Sequence, residues 1–235
     1  MHNTMDRVPE KDCSLIIPAY NEEERIGNLL NDLIGFGGEI IIISDGADAT
    51  ASIVSRFTME NPDCDITCIS SPDRLGKGGG IARGMKQATR TYIGFMDADG
   101  STSIEEMNHI FSHLDHADGV IGSRWMPESM IPIRQGMVRR VQSRIFNILI
   151  RILFGLPYAD TQCGAKAFRR ELIETILDTM QSTGFEFDVE LLWKARNAGY
   201  EVIELPISWT DRGGSSVRMT DSIAMITGLL KVRFL

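Results

Sequence analysis

The chain has 235 residues, 43% of them apolar and 24% charged, with a net charge of -8. That composition is ordinary for a soluble globular protein, and the length suits one α/β domain with a sizeable core. The acidic balance excludes wholesale nucleic-acid binding, which needs a basic field.

In chain order, residues 1–11 are polar and read as a loose N-terminus. Residues 13–18 form an apolar run closed by Pro18 and predict a strand. Helical spacing over 22–34 puts Ile26, Leu29, Leu30 and Leu33 on one face. Strands follow at 39–44, 65–70, 92–96 and 119–122, with helices between them at 49–59, 79–89 and 104–114. The second half is less regular. A long helix is predicted over 134–154, a strand over 164–168, helices over 171–180 and 188–197, a strand over 201–205 and a last helix over 221–234. Alternating strands and helices imply βαβ units in a largely parallel sheet. No repeat, low-complexity segment or linker interrupts the chain, so a single domain over 1–235 is expected.

Ligands of such sheets bind at the carboxyl ends of the strands. The segment Tyr92-Ile93-Gly94-Phe95-Met96-Asp97-Ala98-Asp99 runs apolar and then ends in two carboxylates one residue apart. Like charges this close repel and cost free energy to desolvate, and a divalent cation between them would remove that penalty. Two readings stand at this point. One is a turn and helix start, with Ser101 or Ser103 as the cap. The other is a site for a metal and a nucleotide diphosphate. The spacing is not that of an EF-hand.

Asp45 follows the second strand, one step before Asp48 and Thr50, which suit capping; Asp45 is placed to meet a base or ribose. The stretch "DRLGKGGGIARG" sets Lys77 among glycines near a helix start. It matches neither a Walker A loop nor GxGxxG, yet exposed N–H groups with a cation suit an anion. A plain flexible loop is the alternative. On the long helix Arg140, Arg144 and Arg151 fall on one stripe beside Phe146, Ile150 and Phe154. That pattern is either a solvated basic face or an interfacial helix on anionic lipid. His109, His113 and His116 read as surface histidines, since no HExxH pattern is present. Cys13, Cys64, Cys68 and Cys163 lack zinc-site spacing, and with no secretory leader in the sequence they predict a reducing, cytosolic setting. The longest apolar run, 145–156, is broken by Asn147 and Arg151 and is too short to cross a bilayer.

Taken together, "IIPAYNEEERI", "SDGADAT", "LGKGGGIARGM", "FMDADGST", "IGSR", "ADTQCGAKAF", "FEFDVELL" and "ISWTDRGGSS" resemble, in order, the polyprenyl-phosphate glycosyltransferases of glycosyltransferase family 2. The likeness runs from about Cys13 to the end and is nearest to the dolichyl-phosphate β-glucosyltransferase branch, then to dolichol-phosphate mannose synthases. The resemblance implies a GT-A fold, with residues 1–125 binding the nucleotide-sugar donor and 126–235 facing the acceptor and the membrane. It implies that Pro18, Tyr20, Glu22 and Asp45 line the nucleoside pocket, with Lys77 on the donor side. Asp97 and Asp99 would hold Mg²⁺ or Mn²⁺, and Asp97 would also meet the donor. Arg124, Arg139 and Arg212 would meet the phosphate of a polyprenyl or dolichyl phosphate acceptor. Two departures stand out. Ser101 replaces the glutamine of the mannose branch, which favours the glucosyl branch and UDP-glucose over UDP-N-acetylhexosamine or GDP-mannose. Ser216 replaces a lysine of both branches, and Arg218, two residues on, is the acceptor cation expected in its place. The expected reaction is inverting hexose transfer at the cytoplasmic face of a membrane to which the protein attaches peripherally. Rival readings are a glycosyltransferase with a polysaccharide or other non-lipid acceptor, a sugar nucleotidylyltransferase, and a non-catalytic nucleotide-binding protein. The nucleotidylyltransferase fits less well because "PAYNEEE" stands where its glycine-rich loop is expected.

Overall fold

The computed structural model describes residues 8–131, 137–210 and 219–234, with backbone alone at 137–143, 145 and 219–224. In order, its elements are β1 (Cys13–Ala19), α1 (Ile26–Asp32), β2 (Glu39–Ser44), α2 (Thr50–Glu60), β3 (Ile66–Ser70), α3 (Gly76–Gln87), β4 (Tyr92–Phe95), α4 (Ile104–Ser112), β5 (Gly119–Ser123), α5 (Met137–Phe154), β6 (Lys166–Arg169), α6 (Arg170–Ile176), α7 (Phe187–Asn197), β7 (Val202–Pro206) and α8 (Met219–Phe234).

These strands make one sheet in the order β3-β2-β1-β4-β6-β5-β7. Pairing is parallel except for β6, which runs antiparallel to both β4 and β5. The sheet is therefore mostly parallel, as expected, and β6 is the element whose direction the alternation of strands and helices did not predict. Its reversal places the segment just before β6 beside the carboxyl ends of β4 and β5. The order also turns at β1, whose neighbours are β2 and β4; such a reversal opens a crevice at the strand ends.

Side-chain alternation sorts the strands onto two apolar layers. Leu15, Ile17, Ile40 and Ile42 pack with Leu29, Leu30, Met107 and Phe111. Ile16, Ile41, Ile43 and Phe95 pack with Ile81, Met85, Leu172, Phe187 and Leu191 on the other face. Burial on both faces explains why these strands read as continuous apolar runs. Each such side chain contributes about 1.5–3 kcal/mol on burial.

Element ends differ from expectation for local reasons. Glu22 to Arg25 form a turn, so the first helix begins at Ile26. A short 3-10 turn, Glu10–Asp12, leads into β1 where a loose terminus was expected. The helix expected from 79 begins at Gly76, because the Asp45 carboxylate accepts the N–H groups of Leu75 (2.8 Å) and Gly76 (3.0 Å). The glycines of this helix serve packing. A Cβ at Gly84 would stand 2.4 Å from Ile16 Cγ2, and one at Gly78 would stand 2.5 Å from Phe187 Cβ. The long helix expected from 134 is described from Met137 onward; 134–136 lie outside the described residues.

Candidate functional site

The ends of β1, β2, β4 and β5 deliver Tyr20, Asp45, Asp97 and Arg124 to one edge of the sheet. Asp97 leaves β4 and meets Lys77 of the first turn of α3, with Oδ1 to Nζ at 2.9 Å. The same ammonium lies 3.3 Å from Asp188 Oδ2 on α7. The other oxygen of Asp188 takes Lys166 Nζ of β6 at 2.5 Å, and Lys166 also donates to the Cys163 carbonyl. Beyond β5, Arg124 grips Asp160 with two bonds, Nε to Oδ2 at 2.7 Å and Nη2 to Oδ1 at 3.0 Å. The backbone of Asp160 and Ala159 is anchored in turn by Glu204 of β7. Three carboxylates thus alternate with three cations. Burying charge is tolerable when it is paired and hydrogen-bonded in this way.

The titration of these groups follows from the pairing. Crowding by protein works to raise the Asp97 carboxyl, but Lys77, with Lys166 and Arg124 behind it, holds it below the usual carboxylate range. Burial works to lower Lys77, and the charges of Asp188 and then Asp97 push it above the ordinary lysine value. Asp160 is likewise disfavoured by burial and held low by Arg124. Asp188 is closed off, whereas 43% of the Asp97 side-chain surface stays open.

Asp99 accepts a hydrogen bond from the Ser101 N–H at 2.9 Å. Ser103 caps α4 by accepting from Glu106 N, so neither aspartate is needed as the cap of that helix. Burial raises the Glu22 carboxyl above its usual value; Arg25 opposes this, and the nearby charges of Asp99 and Asp48 add to it. Glu22 itself is held by Arg25 at 2.7 and 2.9 Å. Among the described residues no three His, Cys, Asp or Glu side chains form a metal cluster. Asp97 and Asp99 remain a pair of hard oxygen donors at an open strand end, a donor set that fits Mg²⁺ or Mn²⁺ sharing its other positions with phosphate and water.

On the β1–β2 side, the Arg74 guanidinium lies 3.2 Å above the Tyr20 ring. Pro18 packs against α3 at Gly80. Asp45 serves as an anion at the N-terminus of α3. Pro18, Tyr20, Asp45, Lys77, Asp97 and Arg124 are therefore brought to one edge. The side chain of Arg139 and the whole of Arg212, Ser216 and Arg218 lie outside the described residues. Sequence reasoning gave no role to Asp160, Gly164, Lys166 or Asp188. A lysine inside the apolar run "CGAKAF" was the signal that could have found the network, because a strand lysine with 0% exposure needs a buried carboxylate.

The outer face of α5 exposes Ile148 (53%), Leu149 (55%) and Ile152 (76%), and that of α8 exposes Ile226, Leu230 and Phe234. Arg233 on α8 donates to the Leu153 carbonyl and joins the two helices. Ile150 and Phe154, expected beside the basic stripe, are buried in the core instead, as are Met225 and Leu229 of α8. Arg144 lies 4.5 Å over the Trp125 ring, while the side chain of Arg140 lies outside the described residues. No described helix is long and apolar enough to cross a membrane. All four cysteines are free.

The family model for glycosyl transferase family 2 matches residues 14–177. The chain is 32% identical to a dolichyl-phosphate β-glucosyltransferase of Dictyostelium discoideum, over 94% of this chain and 73% of that one. It is 31% identical to a polyprenol monophosphomannose synthase of Mycolicibacterium smegmatis, over 91% of this chain and 83% of the relative. Its fold is similar to that of glucosyl-3-phosphoglycerate synthase from Mycobacterium tuberculosis, crystallised with Mg²⁺ and uridine diphosphate. The TM-score is 0.66 at 16% identity, over 94% of this chain and 78% of that one.

Proposed function

The chain belongs to glycosyltransferase family 2 and has the GT-A fold, and from that premise we propose that it transfers a hexose, with inversion, from a nucleotide sugar to a polyprenyl or dolichyl phosphate. The observation that carries the site assignment is the open Asp97 carboxylate beside Asp99 at the turn in strand order, backed by the charge network. The relatives' names support a lipid phosphate acceptor. UDP-glucose is the donor favoured by Ser101, ahead of UDP-N-acetylhexosamine and GDP-mannose.

Asp97 and Asp99 would hold Mg²⁺ or Mn²⁺. Such an ion supplies Lewis-acid neutralisation of the charge that develops on the diphosphate leaving group. Lys77 adds a second positive charge on the donor side. Tyr20 and Asp45, with Pro18 and Glu22, shape the nucleoside end. The acceptor phosphate is already anionic near neutral pH, so it needs alignment and partial desolvation rather than a general base. Arg124, locked by Asp160, offers a rigid cation facing Asp97, and Arg139, Arg212 and Arg218 complete the acceptor side. In this reading 1–125 is chiefly the donor half and 126–235 the acceptor half, although Asp160, Lys166 and Asp188 of the second half brace the first.

The acceptor's tail stays in a bilayer while its phosphate reaches the strand ends. The exposed apolar faces of α5 and α8, flanked by Arg151, Lys231 and Arg233, suit peripheral attachment at the cytoplasmic face of an anionic membrane. The test is turnover of the three donors against a short polyprenyl phosphate, with the anomeric configuration of the product read by NMR. A β-linked lipid-phosphate hexose supports the reading. Transfer to water or polysaccharide alone, with none to the lipid, overturns it. Arg139→Ala should weaken use of the lipid phosphate far more than nucleotide binding.

A further inference from the structure

The two carboxylates that share Lys77 are unequal partners. Asp188 is buried, at 2% side-chain exposure, and both its oxygens are taken, one by Lys166 and one by Lys77. Asp97 keeps 43% of its side-chain surface open and is the carboxylate a cation from solvent can reach. Lys77 is itself only 12% exposed. If the ammonium must give up one partner, it gives up Asp97, because releasing Asp188 would leave the buried Oδ2 without a partner, whereas the open Asp97 can be solvated or take a cation.

Charge counting points the same way. Asp97, Asp160 and Asp188 are matched by Lys77, Lys166 and Arg124, and Asp99, two residues after Asp97, adds one negative charge. A divalent cation arriving alone turns this into an excess of one positive charge and must compete with Lys77 for Asp97. The diphosphate of a nucleotide sugar carries two negative charges and restores the starting balance.

We propose that Lys77 is a resident counter-ion of Asp97 that is displaced when the divalent cation binds and is then taken up by the donor diphosphate, with Asp188 as the fixed post on which it pivots. The inference rests on the reading that Asp97 and Asp99 hold a cation beside that diphosphate. Lys77 thereby couples the two ligands: metal binds weakly without nucleotide, and each ligand favours the other. Lys166 holds Asp188 in place through its other oxygen.

The test uses Mn²⁺, followed by the electron paramagnetic resonance of the free ion, and UDP, followed by calorimetry. Lys77→Met leaves Asp188 paired with Lys166 and removes the competitor. It should bind Mn²⁺ alone about tenfold more tightly than wild type, the scale of one displaced ion pair, and bind UDP at saturating Mn²⁺ about tenfold more weakly. Lys77→Arg keeps the competing charge and should leave Mn²⁺ affinity near the wild-type value. A folded Lys77→Met protein with no gain in Mn²⁺ affinity, or with UDP binding intact, overturns the proposal and makes Lys77 a static strut. If that variant does not fold, the ¹⁵N resonance of the Lys77 ammonium in wild type decides. A shift on adding Mg²⁺ and UDP is expected, and an unchanged resonance in their complex contradicts the exchange. A wild-type protein that takes up no Mn²⁺ even with UDP removes the metal site itself. Neither ligand measurement involves the lipid, so failure of the acceptor reading is scored separately.

Discussion

The Asp97 carboxylate rests on the bare backbone of Gly164: a Cβ built on that glycine would stand 2.0 Å from Oδ2. The contact joins the end of β4 to the segment before β6 and exists because β6 runs antiparallel between β4 and β5. Gly164→Ala should therefore push Asp97 off Lys77 while leaving the sheet in place. We expect kcat/KM to fall about 100-fold, the usual result of an ångström-scale misplacement, with stability lowered by about 1–3 kcal/mol. Steady-state kinetics and a denaturant melt check both; near-normal kinetics would mean that the position of Asp97 is immaterial.

Asp99→Ala should abolish transfer and metal-dependent nucleotide binding without unfolding the protein. Asp99 makes one local hydrogen bond, to Ser101 N, and α4 keeps its Ser103 cap without it. Calorimetry of UDP binding with and without Mn²⁺ reads the effect. A variant whose UDP affinity still rises with Mn²⁺ places the metal elsewhere.

The strand ends were legible in the sequence because parallel strands covered on both faces are uninterrupted apolar runs. The polar residue that ends each run is then conspicuous, as with Asp45 and Asp97. Fold class and most element positions followed from the same signal. Of the network behind the site, only Lys166, a lysine within an apolar run, left a signal. Asp160, Gly164, Lys166 and Asp188 belong to segments whose place depends on the reversal of β6, and strand direction leaves no periodicity. The packing role of the α3 glycines was hidden for a related reason. In sequence they resemble an anion loop, and Gly78 and Gly84 are in addition required by Phe187 and Ile16, far away in the chain. On α5 the apolar residues were identified correctly, but which of them face outward was decided by packing: Ile150 and Phe154 turned inward and Ile148, Leu149 and Ile152 outward.

Asp160→Asn should destabilise the protein at neutral pH by about 3–5 kcal/mol, since it leaves Arg124 without its buried partner. The folded value of Asp160 is depressed below the ordinary 3.8. Its ion pair therefore contributes fully above that ordinary value, and the contribution is lost as pH falls through the depressed folded one. Urea melts of wild type and variant should differ by a constant amount at pH 7 and 5 and converge below pH ~3.8. A gap that narrows already between pH 7 and 5 would contradict the assignment.

Burial, followed by the charges of Asp12 and Glu10, pushes the Cys13 thiol up to about 12. Burial, followed by the charge of Asp160, pushes Cys163 up to about 11. Both should stay protonated and unreactive at pH 8, while the partly exposed Cys64 is alkylated first. Mass spectrometry of iodoacetamide-treated protein gives the order. Early labelling of Cys163 would mean that the core beside Asp160 is open.

Membrane attachment should weaken as salt rises, each basic residue near an anionic surface contributing about 1 kcal/mol. Joint reversal of Arg151 and Lys231 to Glu should release the protein from anionic vesicles, as should Ile152→Asp. Arg144 is the poorer choice because it also packs on Trp125. Co-sedimentation at low and high salt reads the outcome. Equal pelleting of wild type and the reversed protein would leave these helices as solvated faces.

The deciding measurement is incorporation of labelled hexose from UDP-glucose, UDP-N-acetylhexosamine or GDP-mannose into the organic phase in the presence of a short polyprenyl phosphate. The predicted result is label in a lipid-phosphate hexose that requires Mg²⁺ or Mn²⁺, disappears with chelator, and is absent with Asp99→Ala. Metal-independent label, undiminished incorporation by Asp99→Ala, or no incorporation from any of the three donors would contradict it.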